Sequence, residues 1–218
     1  MNFENFVLIF CNGELPSHTR IRDLLPHPKL IVCADGGANK ALSIGYKPDL
    51  IVGDLDSLIN TEPGLKETEL IEIKSQDNTD FEKTLNVLLG RGFRDFLVVA
   101  FSGGRIDQTL ANLQIAYEYF RLKPTAPSAK GGCQIILADN EYLIFPAIES
   151  FDLDVLEGAD ISIVPMEDGT KVSTSGLEYE LHQASLRKGG HGISNRATRN
   201  KIAVTIHKGG VLVFVRDT

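Results

Sequence analysis

Five short runs of apolar, largely β-branched residues dictate what this chain can become. They are Val7-Leu8-Ile9-Phe10, Leu30-Ile31-Val32-Cys33, Leu50-Ile51-Val52, Phe96-Leu97-Val98-Val99-Ala100 and Gln134-Ile135-Ile136-Leu137. None alternates with polar residues, so each suits a strand covered on both faces, as in a parallel sheet. Just past each run stand turn-forming or acidic residues: Asn12-Gly13, Asp35-Gly36-Gly37, Gly53-Asp54, Ser102-Gly103-Gly104 and Asp139-Asn140. In open α/β sheets the ligand crevice lies outside these carboxyl ends.

Helix signals fall between the runs. Thr79-Asp80-Phe81-Glu82 matches a capping box and predicts a helix with Phe81, Leu85, Leu88 and Leu89 on one face, closed by Gly90 and Gly92. A second helix is predicted from about Asp107 to Leu122, with Ile106, Leu110, Leu113, Tyr117 and Phe120 at helical spacing. Residues 123–132, rich in Pro, Ala, Ser, Lys and Gly, read as a loop. After about Phe145 the texture changes to short alternating segments at Ile161–Val164, Leu177–Leu181, Ile202–Ile206 and Val211–Val215, bounded by glycine-rich turns. That is an antiparallel pattern. The expected architecture is a mostly parallel α/β domain over residues 1–145 followed by a small all-β, sandwich-like domain over 146–218.

Composition narrows the function. The formal charge is −7, from 29 acidic and 22 basic residues. A general nucleic-acid binder would carry a basic stripe. An acidic balance suits a cationic small molecule or a carboxylate cluster that holds a metal, although taken alone it does no more than aid solubility. The three cysteines, Cys11, Cys33 and Cys133, form no C-x-x-C pair, and Cys11 and Cys33 end apolar runs. They read as buried small hydrophobes in a reducing cytoplasm. The N-terminal MNFENF has no basic region, and VLIFC is too short for a signal peptide or membrane span.

Acids recur where the crevice is expected: Asp35, Asp54 and Asp56 in GDLDS, Asp77 and Asp80 in QDNTD, and Asp107 in GGRIDQ. Each taken singly reads equally well as a cap or turn residue. The alternating pair after a buried strand, Asp54 and Asp56, has little structural purpose. Two carboxylates 4 Å apart repel by about 4 kcal/mol at an effective dielectric of 20. A hard divalent ion relieves that repulsion, and Mg²⁺ usually arrives with phosphate. Lys83 and Arg105 could approach a polyphosphate from opposite sides. There is no G-x-x-x-x-G-K-S/T loop and no G-x-G-x-x-G turn, so a nucleotide would be held by another device.

Four blocks in order, ADGGAN (34–39), PDLIVGDLDS (48–57), QDNTDFEKTL (76–85) and GGRIDQTLANL (103–113), with Ser194-Asn195 before a hairpin ending in VLVFV, resemble the thiamine pyrophosphokinase family. The resemblance spans nearly the whole chain. It implies transfer of pyrophosphate from ATP to thiamine, Mg²⁺ dependence, and a homodimer with thiamine bound between subunits. On this chain it implies Asp54, Asp56 and Asp80 as metal and catalytic aspartates. Asp35, Gly36, Gly37, Thr79, Lys83, Gly103, Gly104, Arg105, Asp107 and Gln108 match positions that line the nucleotide. Gln76 and Asp80 of one subunit, with Ser194 and Asn195 of the other, match the thiamine pocket. Animal members stack a tryptophan on thiamine, and this chain has none. LIVGDLDSL also resembles the D-x-D-x-T/V strand end of haloacid-dehalogenase-like phosphatases, with Ser57 where Thr or Val is usual. A nucleotide-sugar transferase with a metal-binding D-x-D is a further enzymatic reading. A nucleotide-sensing module that binds metal without turnover is the non-enzymatic one.

Overall fold

The computed structural model describes residues 5–57, 65–122 and 133–216, so the loop read at 123–132 lies outside the described residues. The chain divides into two units, Met1–Asn140 and Glu141–Thr218. The sequence texture placed the change at 145. The second unit begins earlier because β7 (Tyr142–Ala147) pairs along its length with β14 (Val211–Arg216).

All five apolar runs are strands of one parallel sheet in the first unit. They are β1 (Val7–Phe10), β2 (Leu30–Ala34), β3 (Leu50–Gly53), β5 (Asp95–Val99) and β6 (Gln134–Ala138). A sixth, β4 (Glu69–Glu72), was not expected. It is the edge strand, mostly exposed, and its sequence ELIE carries no continuous apolar run. Glu69 is held there by both terminal nitrogens of Arg91, at 2.6 and 2.8 Å. The order is β6-β5-β1-β2-β3-β4, with every pairing parallel. Successive connections therefore run one way from β1 to β4 and the other way from β5. The sheet changes direction beside β1, the place where such sheets open a crevice.

Two short helices, α1 (His18–Leu24) and α2 (Gly37–Ser43), follow β1 and β2. α3 (Asp80–Gly90) opens with the predicted capping box. The Thr79 hydroxyl accepts from the Glu82 N–H at 3.2 Å, and the Glu82 carboxylate accepts from the Thr79 N–H at 3.0 Å. Phe81, Leu85 and Leu88 are buried, and α3 packs on β2 and β3. Each such side chain contributes roughly 1.5–3 kcal/mol of transfer free energy. Gly92 ends the run at φ +87, the left-handed conformation that stops a helix at least cost to glycine.

α4 (Ile106–Arg121) departs from its apolar spacing. Its buried residues are Asn112, Ile115, Ala116 and Tyr117, whereas Ile106 and Leu110 are exposed. A buried polar anchor sets this face: the Asn112 amide donates to the Phe101 carbonyl at 2.8 Å, fixing the helix to the loop after β5. The apolar repeat alone could not reveal that anchor.

The second unit is two antiparallel sheets. One is β12 (Asn195–Arg196), β9 (Asp160–Pro165), β14 and β7; the other is β11 (Ala184–Ser185), β10 (Lys171–Ser175), β13 (Lys201–Lys208) and β8 (Phe151–Asp154). Ile161, Ile163, Val213 and Val215 of the first share one core with Leu153, Val172, Ile202 and Val204 of the second. β9 and β10 alternate buried and partly buried residues, as a half-covered strand must. The expected strand at Leu177–Leu181 is not one. β10 ends at Ser175, and Leu177 makes only a single bridge, to Ala197. Gly176, at φ +83, breaks the strand, and Glu180 turns back to accept from its N–H at 2.9 Å.

Backbone crowding at the strand ends is testable. A Cβ on Gly37 would fall 2.2 Å from the Phe10 carbonyl oxygen. Gly37→Ala must move backbone, and is expected to cost roughly 2–4 kcal/mol in urea denaturation. An unchanged midpoint would refute the packing.

Candidate active site

The carboxyl ends of β1, β2, β3 and β5 surround a cavity of about 510 Å³, within the range of small-molecule sites. The turn after β2 supplies Asp35 and Gly36; the loop after β3 supplies Asp54, Asp56 and Ser57; the start of α3 supplies Thr79 and Asp80. The loop after β5 and the first turn of α4 supply Gly103, Gly104, Arg105 and Gln108. Most of the site residues expected in this unit thus meet at one cavity.

Asp35, Asp54 and Asp56 each offer an oxygen within 4.8 Å of the others. Asp35 is only 5% exposed, and its Oδ1 has no hydrogen-bond partner. Burying an unpartnered carboxylate oxygen is costly. Gly53 leaves the room it needs, because a Cβ there would fall 2.6 Å from the Asp35 Cβ. Asp54 accepts from the Asp56 N–H and from the Gln76 amide, each at 3.4 Å. Its carboxyl is held below the usual carboxylate range, chiefly by the Asp56 backbone bond, with help from Gln76 and the Lys83 charge. The Ser57 hydroxyl donates to Asp56 at 3.0 Å, and Asn39 clamps the Ser57 carbonyl at 2.9 Å. The ADGGAN block therefore also braces the acidic loop. Three non-glycine residues at these strand ends have left-handed backbone: Asp35 (φ 41), Leu55 (φ 63) and Ala100 (φ 53).

Some expected residues take other places. Gly37 is buried beneath the site, its face filled by the Phe10 carbonyl. Asp107 is exposed and engaged by Arg105, whose Nε donates at 3.1 Å; that pair draws the Asp107 carboxyl below its ordinary value. Lys83 is 4% exposed, is not among the lining residues, and donates to Oδ1 of Asp80, which is. Ser194 and Asn195 belong to the second unit. Asn195 is buried and internally committed: its Oδ1 accepts from the N–H of Tyr179 and of Arg196, and its Nδ2 donates to the Tyr179 carbonyl at 2.6 Å.

The cavity also takes in residues the sequence reading did not assign: Cys11, Asn12, Glu14, Lys40 and Asn112. The Asn12-Gly13 pair after β1 was the one signal for the first three. Lys40 carried none beyond its place one turn into α2.

An acid-lined cavity at the switch point of a parallel sheet, in a chain that continues into a β-sandwich unit, defines a two-part α/β enzyme. Residues 21–126 match the thiamin pyrophosphokinase catalytic domain, and residues 149–211 match the thiamin pyrophosphokinase vitamin B1 binding domain. The chain belongs to the thiamine pyrophosphokinase family, whose members are transferases. It is 29% identical to thiamine pyrophosphokinase 1 of Arabidopsis thaliana, over 91% of this chain and 82% of that one. Its fold matches thiamine pyrophosphokinase from Bacillus subtilis, with a TM-score of 0.80 at 22% identity, covering 98% of this chain and 99% of that one. It also matches the enzyme from Candida albicans, with a TM-score of 0.81 at 20% identity, covering 99% and 90%. The phosphatase reading is not favoured. Among the described residues, no helix is long and apolar enough to cross a membrane.

All three cysteines are free and buried. Burial pushes the Cys11 thiol up from 9.0 to about 12, with the Asp80 charge adding to the effect. The folded state therefore keeps a proton that the unfolded state releases. The resulting stability is fully present below pH 9 and is lost as pH rises toward 12. Iodoacetamide at pH 8 is expected to leave Cys11 unlabelled in the folded chain and to label it in urea, as read by peptide mass spectrometry. Rapid labelling of the folded chain would contradict its placement.

Proposed function

We propose that the chain transfers a pyrophosphoryl group from ATP to the hydroxyl of thiamine, giving thiamine diphosphate and AMP, with Mg²⁺ as the required ion. The observation that carries this reading is the convergence of Asp35, Asp54 and Asp56 around one cavity, with a buried Asp35 oxygen left without a partner. Hard oxygen donors of this kind suit Mg²⁺. Asp35, Asp54 and Asp56 would hold it. Asp80, the further ligand expected, lines the same cavity and has one oxygen bonded to Lys83, which leaves its other oxygen to reach the ion. The ion, when bound, neutralises phosphate oxygens.

The cavity would take the triphosphate between the acidic loop and the Gly103-Gly104-Arg105 turn. Reaction is an in-line displacement. The thiamine oxygen forms a bond to the β-phosphorus, the bond from that phosphorus to the α–β bridging oxygen breaks, and AMP leaves with the oxygen. Positioning and charge neutralisation supply most of the acceleration. Asp80, which lines the cavity, would accept the hydrogen bond of the attacking hydroxyl and its proton as the new bond forms. The carboxylates also favour the thiazolium cation.

Asp54→Asn should lower turnover at least a hundredfold while leaving the thermal midpoint within about 3 °C, and should weaken Mg²⁺ binding seen by calorimetry without substrate. The assay is AMP and thiamine diphosphate formed from ATP and thiamine. Near-normal product from this variant, or none from the wild type, ends the proposal.

The thiamine pocket is proposed to form in a homodimer, from Gln76 and Asp80 of one subunit and Ser194 and Asn195 of the other, in the cytoplasm, where buried free thiols stay reduced. Asn195 would act by shape, since its amide is already bonded; the Ser194 hydroxyl has no hydrogen-bond partner among the described residues. The same Asn195 clamps both backbone groups of Tyr179, whose side chain is exposed. Among the described residues of this unit, Tyr179 is thus an exposed aromatic ring held by its backbone, in a chain without tryptophan. Light scattering at micromolar concentration should give the dimer mass, and Tyr179→Ala should raise the KM for thiamine about tenfold with that for ATP unchanged. A fully active monomer would refute the shared pocket.

A further inference from the structure

Lys83 occupies an unusual position. It lies in the first turn of α3, where the helix dipole disfavours a cation. It is buried, and burying an ammonium costs several kcal/mol unless it is paired. Its side chain donates to Asp80 Oδ1 at 2.9 Å, three residues back on the same helix. Its burial is tolerated through that one carboxylate, so the two side chains are coupled.

A lysine that grips a triphosphate should present its ammonium at the cavity wall. Lys83 is 4% exposed and is not among the residues that line the cavity, whereas Asp80 is. The Asp80 side chain is 37% exposed, and its Oδ2 has no hydrogen-bond partner among the described residues. One carboxylate oxygen is thus tied to a buried cation, and the other is left for whatever enters the cavity. The charge of Lys83 also reaches Asp54 and helps to depress its carboxyl. No other lysine or arginine among the described residues is buried.

We infer that Lys83 is a positioning residue that acts through Asp80: by tying down Oδ1 it fixes the carboxylate so that Oδ2 faces the acceptor hydroxyl. This rests on the reaction proposed above and assigns Lys83 a role other than phosphate contact. The two roles separate kinetically. A phosphate ligand contributes to ATP binding. A residue that orients Asp80 affects the step in which the hydroxyl attacks, and nothing more once Asp80 itself is disabled.

The experiment compares wild type, Lys83→Met, Asp80→Asn and the double variant in the AMP-release assay, with ATP affinity measured separately by calorimetry without thiamine. Lys83→Met is expected to lower kcat about a hundredfold, with ATP affinity changed less than threefold. In the Asp80→Asn background the same substitution is expected to cost less than threefold. A tenfold or greater loss of ATP affinity in Lys83→Met, or penalties that multiply in the double variant, would overturn the assignment. If Lys83→Met alone does not fold, as judged by near-ultraviolet circular dichroism, the double variant removes both charges, and its comparison with Asp80→Asn decides the matter. Wild-type turnover is read in the same assay, so absence of the proposed reaction is distinguished from failure of the Lys83 assignment.

Discussion

Mutual repulsion among carboxylates is the constraint around which the first unit is built. Asp35, Asp54 and Asp56 approach one another although each would be better solvated alone. Their closeness is imposed by backbone. β2 and β3 are bonded in register up to Ala34 and Val52, and the Asp35 N–H donates to the Val52 carbonyl at 2.9 Å. Asp35 thus leaves its strand beside the loop that carries the other two acids. Gly53 lets the strands close that far, because any side chain there would displace Asp35. The acids are thus brought together by backbone bonds, the kind of preorganisation that favours electrostatic assistance.

Positive charge is placed with equal economy. Arg105 is exposed and tied to Asp107, whereas Lys83 is buried and tied to Asp80. One cation is therefore at the rim, where a phosphate could exchange for the aspartate. Lys40 also lines the cavity, while the buried Lys83 bears on Asp80 and Asp54 themselves. A sequence shows Arg105 and Lys83 simply as basic residues near acids; only burial tells them apart.

Much of the fold was legible because both-face burial writes itself into sequence as unbroken apolar runs, and all five became adjacent or near-adjacent parallel strands. The capping box at Thr79 was legible for a similar reason, since its two hydrogen bonds require specific residue types three positions apart. β4 escaped notice because an exposed edge strand needs no apolar run. Leu177–Leu181 looked like a strand because Leu177 is in the core and Leu181 packs against it, but the chain there is bent by Gly176. In the site, the acids stood out by recurring after strands. Lys40 and Asn112 did not, because a helix places them in the cavity by three-dimensional turn rather than by spacing.

Asp35, Leu55 and Ala100 all carry left-handed backbone without being glycine. Each costs on the order of 1 kcal/mol or more, and all three fall where strands meet the crevice. The rim therefore stores local strain, held in shape by the sheet that bears it. A version of this chain hardened against heat would have to draw its added stability from elsewhere, such as the sandwich core or the charged outer strand. Relaxing these three bends would let the acids drift apart.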